Sequence, residues 1–184
     1  MARNIFTYIR QLLAFSVSAL TVLCCFMASA EAYAYAYSGS RWSSNYQAVT
    51  VNSTITGNYL TAIRQAVSNI NSSTRVRFET SGVGAVWSAI TQNYGNTGWE
   101  GQSTWSYGIS GKTSLAASKI NTYYIPASVE VARMRVLWLH ELSHVWGLGH
   151  STINTVMYTS ASSAYYNGVR YLTSDDINGY NSLY

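Results

Sequence analysis

The sequence predicts an α+β fold: about five short strands, an amphipathic helix among them, a long central helix and a C-terminal helix. Three observations carry this expectation. Short strand-like runs recur between Ala48 and Ile125, and one amphipathic stretch, Gly57 to Ser72, interrupts them. Nothing from Ser128 to Trp146 breaks a helix, and Thr173 with Asp176 three places on marks another helical start.

Along the chain, Ala48-Val49-Thr50-Val51 is β-branched enough for a first strand, closed by Asn52 and Ser53. From Gly57 to Ser72, Leu60, Ile63, Ala66, Val67 and Ile70 lie at helical spacing and predict one apolar face. Arg75 to Thr80 alternates Val76 and Phe78 with charged residues, as a half-buried strand does, and Gly84 to Thr91 offers another strand. Gln102 to Tyr107 is expected as a short exposed strand and Lys119 to Ile125 as the next, ended by Pro126. Ser128 is expected to cap the long helix, with Glu130 in its first turn where a negative charge suits the dipole. Its apolar residues lie on more than one face, so the helix is expected to be buried on most sides.

At 184 residues the chain is sized for one domain. Arg3 and Arg10 precede an apolar stretch, Leu12 to Met27, and Ala28-Ser29-Ala30 follows as a small-residue cleavage site. This predicts a signal peptide over residues 1–30, with cleavage as late as 36 and an uncleaved anchor as alternatives, then a flexible lead-in over 31–45 and the main domain over 46–184. Both cysteines, Cys24 and Cys25, fall within the leader, so the exported chain is expected to carry no disulfide and no redox chemistry. Removing Arg3 and Arg10 leaves nine basic residues against seven acidic ones with no basic run, which argues against a nucleic-acid partner. No second apolar stretch of that length follows, so no membrane association is expected after cleavage, and the mature chain is expected to be secreted and monomeric.

The segment His140-Glu141-Leu142-Ser143-His144-Val145-Trp146-Gly147-Leu148-Gly149-His150 carries the chemistry. Residues four apart share a helix face, so His140 and His144 can reach one ion. Glu141, rotated about 100° from His140, addresses the space beside that ion and can take a proton from water there. Gly147 permits the left-handed turn that stops the helix and lets His150 return as a third ligand. Three nitrogens leave one coordination place open, the pattern of a catalytic zinc and not of a structural one. All three histidines of the chain lie in this motif.

On these residues the chain resembles the metzincins, and within them the matrixin-like peptidases, including small bacterial members. Ser151 follows the zinc motif as is common in matrixins. Thr155-Val156-Met157-Tyr158 is similar to the family's Met-turn, whose methionine, here Met157, lies beneath the zinc ligands. Leu172 to Tyr184 is similar to the family's C-terminal helix with its paired aspartates, here Asp175 and Asp176. The resemblance implies a zinc-dependent endopeptidase of zincin/metzincin fold, with a twisted mixed sheet of about five strands and a backing helix, and with Glu141 as general base. It also implies that the aspartates tie the Met-turn or the mature N-terminus to the last helix. Gln102 to Tyr107 would be the edge strand that pairs with extended protein or peptide substrate.

The chain also departs from the family. Animal matrixins hold a structural zinc and calcium ions on further His and Asp residues. Here no histidine remains and the only aspartates are Asp175 and Asp176, so one catalytic zinc and no structural calcium are expected. A cysteine-bearing inhibitory propeptide is not expected either. Tyr158 directly follows Met157, where other metzincins place a metal-reaching tyrosine two places on, and is not expected as a ligand. Substrate preference is expected to depend on the pocket formed by the long helix and the segment Thr159 to Tyr171, whose depth is not legible from Tyr165, Tyr166 and Val169 alone. Two other readings of the sequence are a catalytically silent, zinc-containing secreted binding or toxin-like module, and a sugar-binding surface built on the six Trp and sixteen Tyr.

Overall fold

The computed structural model describes residues 34–81 and 84–184. The signal peptide expected over 1–30, with Cys24 and Cys25, lies outside the described residues. Among the described residues seven strands are formed: β1 (Ala36–Tyr37), β2 (Tyr46–Val51), β3 (Arg77–Ser81), β4 (Trp87–Gln92), β5 (Gly101–Tyr107), β6 (Thr113–Asn121) and β7 (Leu148–Gly149). The helices are α1 (Gly57–Ser73), α2 (Val131–Trp146), α3 (Ala161–Tyr166) and α4 (Ser174–Leu183).

Five strands form one mixed sheet, as the family resemblance implies, in the order β3-β2-β4-β6-β5. The β2, β3, β4 and β6 pairings are parallel, and β5 joins β6 antiparallel as an edge strand. Because β2 and β3 are parallel neighbours, a crossover must connect them, and α1 supplies it. The buried face of α1 comprises Tyr59, Ala62, Ile63, Ala66, Val67 and Ile70. Leu60, expected on that face, is only partly buried; Tyr59 takes the interior place and its hydroxyl donates to the Ile125 carbonyl.

Several element boundaries differ from the sequence reading, β3 and β4 each starting two or three residues later than expected. The strand expected at Lys119 to Ile125 begins at Thr113 and ends at Asn121, after which Tyr124 N and Ile125 N both turn back to the Asn121 carbonyl. Thr113 to Ala117 has little β-branched character, but β6 lies between β4 and β5, and pairing on both sides makes it a strand. Ser128 is not the cap of α2. A turn closed by Val129 N on Pro126 O precedes the helix, and Glu130 occupies the cap position in extended conformation. The Glu130 carboxylate accepts from the Tyr165 hydroxyl instead of capping the helix.

The lead-in expected to be loosely held is tied down over the described residues 34–45. β1 pairs with β7, and Ser38 N donates to Gly147 O (2.8 Å). Ser38 Oγ donates to His144 O (2.7 Å), Ser40 Oγ to Val145 O (2.6 Å) and Tyr184 Oη to Trp146 O (3.0 Å). A helix ends with carbonyls that have no partner within it, and the small Ser and Gly side chains let the lead-in approach closely enough to satisfy those of α2. Trp42 is 4% exposed.

Trp42, Phe78, Trp87 and Trp146 form an aromatic cluster between the sheet and α2, with Phe78 and Trp87 stacked at 4.5 Å. Trp138 is also buried, so four of the six tryptophans serve the interior, which removes the main support for a sugar-binding surface. From Met134 to Trp146, α2 is buried throughout except for the half-buried His144. Among the described residues no helix is long and apolar enough to cross a membrane.

Candidate metal centre

The interior position of α2 dictates how its polar residues are held. Glu141 O accepts from Ser103 Oγ of β5 (2.7 Å) and from Ser118 Oγ of β6 (3.4 Å), which fixes this turn of the helix against the sheet. His140 and His144 project from the same face, as their spacing predicts. Gly147 then ends the helix at φ +121, where a Cβ would lie 2.6 Å from Ser40 O, so residue 147 must be glycine for conformation and for space. β7 follows and brings His150 back.

The structure brings the three imidazoles together. Nε2 of His140 lies 3.1 Å from Nε2 of His144 and 3.3 Å from Nε2 of His150. Nδ1 of His140 donates to Val156 O (2.7 Å) and Nδ1 of His144 to Leu148 O (2.8 Å). A carbonyl can only accept, so Nδ1 carries the proton in both rings and each Nε2 presents a lone pair. Lone pairs facing one another across 3.1 Å repel unless a cation lies among them, so the donor set fits a metal ion. Burial, then the charge of His144, pushes His140 down to about 3, and burial pushes His144 down to about 4. Both rings are therefore neutral at ordinary pH, the form in which imidazole binds a metal.

Glu141 stands beside the cluster. It is buried, its Oε2 has no hydrogen-bond partner, and burial pushes its carboxyl up to about 8. An unpartnered buried carboxylate oxygen requires an explanation, and a neighbouring dication that favours the charged form is one.

The Met-turn segment docks on this centre through the last helix. Asp176, buried in a capping box with Thr173, accepts from Val156 N (3.1 Å) and Met157 N (3.3 Å). The Val156 carbonyl in turn holds His140, so a hydrogen-bonded path runs from the α4 cap to the first imidazole. Met157 is fully buried. Asp175 is placed elsewhere: its Oδ1 accepts from Ala34 N (2.9 Å) at the start of the described lead-in.

A cleft of about 550 Å³ opens over the centre. One wall is Gly98 to Ser103 with Trp105, the floor is α2 through Leu137, His140, Glu141 and His144, and the opposite wall is Thr159, Ser160 and Ala161. From the segment Thr159 to Tyr171, Thr159, Ser160 and Ala161 line the cleft, whereas Tyr165 and Val169 turn into the core and Tyr166 faces solvent.

Two residues important to the cleft had no sequence signal. Gly101 lies where β5 passes closest to Glu141. Asn121, fully buried, organises the loop before β5. Its Oδ1 accepts from Tyr94 N and Tyr123 N, its Nδ2 donates to Gly95 O, Thr97 Oγ1 and Trp99 O, and its backbone N donates to Glu100 O. Which loop atoms converge on Asn121 depends on tertiary structure and could not be read locally.

A mixed sheet over a buried helix that offers two imidazoles, a glycine stop and a returning third imidazole define a metzincin, the zinc-protease class with a methionine turn below its centre. Residues 84–184, just over half of the chain, match the matrixin family, peptidase M10, and the chain belongs to that family. Among solved structures it is similar to high choriolytic enzyme 1, a hatching enzyme zinc-protease from Oryzias latipes (medaka fish), at 19% identity and a TM-score of 0.39. That match covers 60% of this chain and 49% of the fish enzyme, so the chain spans about half the length of that neighbour. Comparison with curated proteins gives no match.

Proposed function

We propose that the chain is a secreted zinc-dependent endopeptidase that hydrolyses peptide bonds in extended protein or peptide substrates. The observation that carries the reading is the convergence of three imidazole Nε2 atoms beside the buried, unpartnered Glu141 oxygen at the floor of an open cleft. His140, His144 and His150 would hold one zinc. Zinc held there would supply Lewis acidity toward a peptide carbonyl and toward water.

The chain's own residues account for the remaining chemistry. Glu141 receives the proton of the attacking water and returns it to the leaving amine as general acid. The carbonyls of Val156 and Leu148 orient His140 and His144, and Asp176 keeps the Val156 turn in place. The free edge of β5 offers main-chain groups to an extended peptide, which would lie along the cleft as a further strand. The working domain includes the lead-in as well as residues 46–184, because Ser38 and Ser40 hold the end of α2.

In this reading the mature chain acts as a monomer outside the cell, with protein or peptide as its partner and without nucleic acid, membrane or structural calcium. The test is hydrolysis of casein or gelatin by the parent and by Glu141→Gln, each with and without a chelator. The parent cleaves and chelation stops it, while Glu141→Gln retains zinc and loses at least about a hundredfold in rate, the typical worth of a positioned general base. Zinc-loaded parent protein without turnover would leave the silent binding module as the better account.

A further inference from the structure

Glu100, at the wall of the cleft, belongs to a closed polar ring that the proposed mechanism does not use. The cavity-lining face of α2 runs through His144, Glu141, His140 and Leu137, and the next residue on that face is Arg133. Arg133 does not open into the cleft. Its Nη2 lies 2.7 Å from Oε1 of Glu100, its Nε donates to Ser162 Oγ (3.1 Å), and the Ser162 hydroxyl donates to the other Glu100 oxygen. The ring of Tyr166 covers the guanidinium at 5.4 Å. Three chain segments are thereby joined: the wall before β5, helix α2 and helix α3.

The position of this ring decides its consequence. Glu100 lines the cleft, as do Leu137, one helical turn from Arg133, and Ala161, next to Ser162, so a substrate side chain seated against Leu137 lies beside the Glu100 end of the pair. The side chains of Arg133 and Glu100 are only 19% and 28% exposed, so water screens neither charge fully. Joined, they present no net charge and hold the segment before β5, α2 and α3 together beside Leu137, which limits the room there. Separated, either would present an unpaired charge there.

We propose that Glu100 and Arg133 are specificity-determining residues, which restrict the substrate side chain seated against Leu137 to short, uncharged ones. This rests on the peptidase reading above and names the substrates its cleft accepts.

The experiment is cleavage-site profiling of a mixed peptide library by mass spectrometry, with zinc content measured for every variant. The parent should favour short uncharged side chains at that subsite. Glu100→Gln leaves the Arg133 cation without its counter-charge and should raise the relative kcat/KM for acidic side chains about tenfold. Arg133→Met leaves the Glu100 carboxylate alone and should raise it by a similar factor for Lys and Arg. The double variant Glu100→Ala/Arg133→Ala should admit longer uncharged side chains with no charge preference. If the zinc-loaded single variants keep the parent profile within about twofold, the inference is overturned. If a single variant fails to hold zinc, the double variant decides alone: a gain of longer side chains supports the inference and an unchanged profile contradicts it. A zinc-loaded parent that cleaves no library peptide overturns the peptidase reading itself, an outcome distinct from altered or unaltered profiles.

Discussion

A Cβ atom placed on Gly101 would stand 2.4 Å from Oε1 of Glu141 and 2.8 Å from its Cγ and Cδ. The edge strand and the carboxylate are in such close contact that only a residue without a side chain leaves the acid its position. The closeness also explains why Glu141 is buried although it belongs to an open cleft.

Gly101→Ala is therefore expected to displace the Glu141 carboxylate without touching the imidazoles. The expected outcome is a fall in kcat of about tenfold or more with zinc content unchanged, because displacement by about 1 Å is enough to spoil a proton-transfer geometry. Steady-state kinetics beside metal analysis checks this. Parent-like kcat in a zinc-loaded Gly101→Ala protein would show that the carboxylate does not need this position.

Asn121→Ala should loosen the wall from Gly98 to Glu100, because it removes five hydrogen bonds at once from a buried hub. Substrate binding should suffer, with KM raised several-fold, while the zinc ligands remain held by other residues. Asn121→Asp should not rescue it: a carboxylate has no donor for Gly95 O, Thr97 Oγ1 and Trp99 O, and burial would make the unmet acceptors costly. Rescue by aspartate would contradict the hub assignment.

The metal-free protein should be most stable near pH 6.5. His140 and His144 in the fold accept protons only near pH 3 and 4, whereas the unfolded chain accepts them near 6.5, so stability is lost as pH falls below that value. Glu141 in the fold keeps its proton to about 8, whereas the unfolded chain releases it near 4.5, so stability is also lost as pH rises from 4.5 toward 8. Between 4.5 and 6.5 two imidazoles outweigh one carboxyl, which places the maximum at the upper end. Added zinc should abolish the alkaline decline, because a neighbouring dication favours the carboxylate. Melting temperatures of chelated and zinc-loaded protein across pH 4 to 9 check this. A chelated sample whose Tm rises steadily to pH 9 would contradict it.

The site was more legible in the sequence than its surroundings. His140, Glu141, His144, Gly147 and His150 are ordered by the local geometry of one helix and its stop, so spacing alone placed them. Met157 and Asp176 were reached through family resemblance, since nothing local shows that the capping carboxylate of α4 accepts from the Val156 turn. The cleft walls were not legible. β6 owes its strand to two neighbours and not to its own composition, and Asn121 at its end reads as an ordinary polar residue until the loop folds round it. The lead-in misled for a related reason: its Ser, Gly and Ala residues suggest a loose segment, yet small side chains are what allow it to approach the open carbonyls of α2.

The central claim is tested most directly by metal analysis of the purified mature protein and of its His150→Ala variant, each after exposure to zinc and gel filtration. One zinc per chain in the parent and strong loss in the variant is the expected result. A parent that emerges metal-free, or a variant that retains zinc as tightly as the parent, would contradict a centre built on His140, His144 and His150.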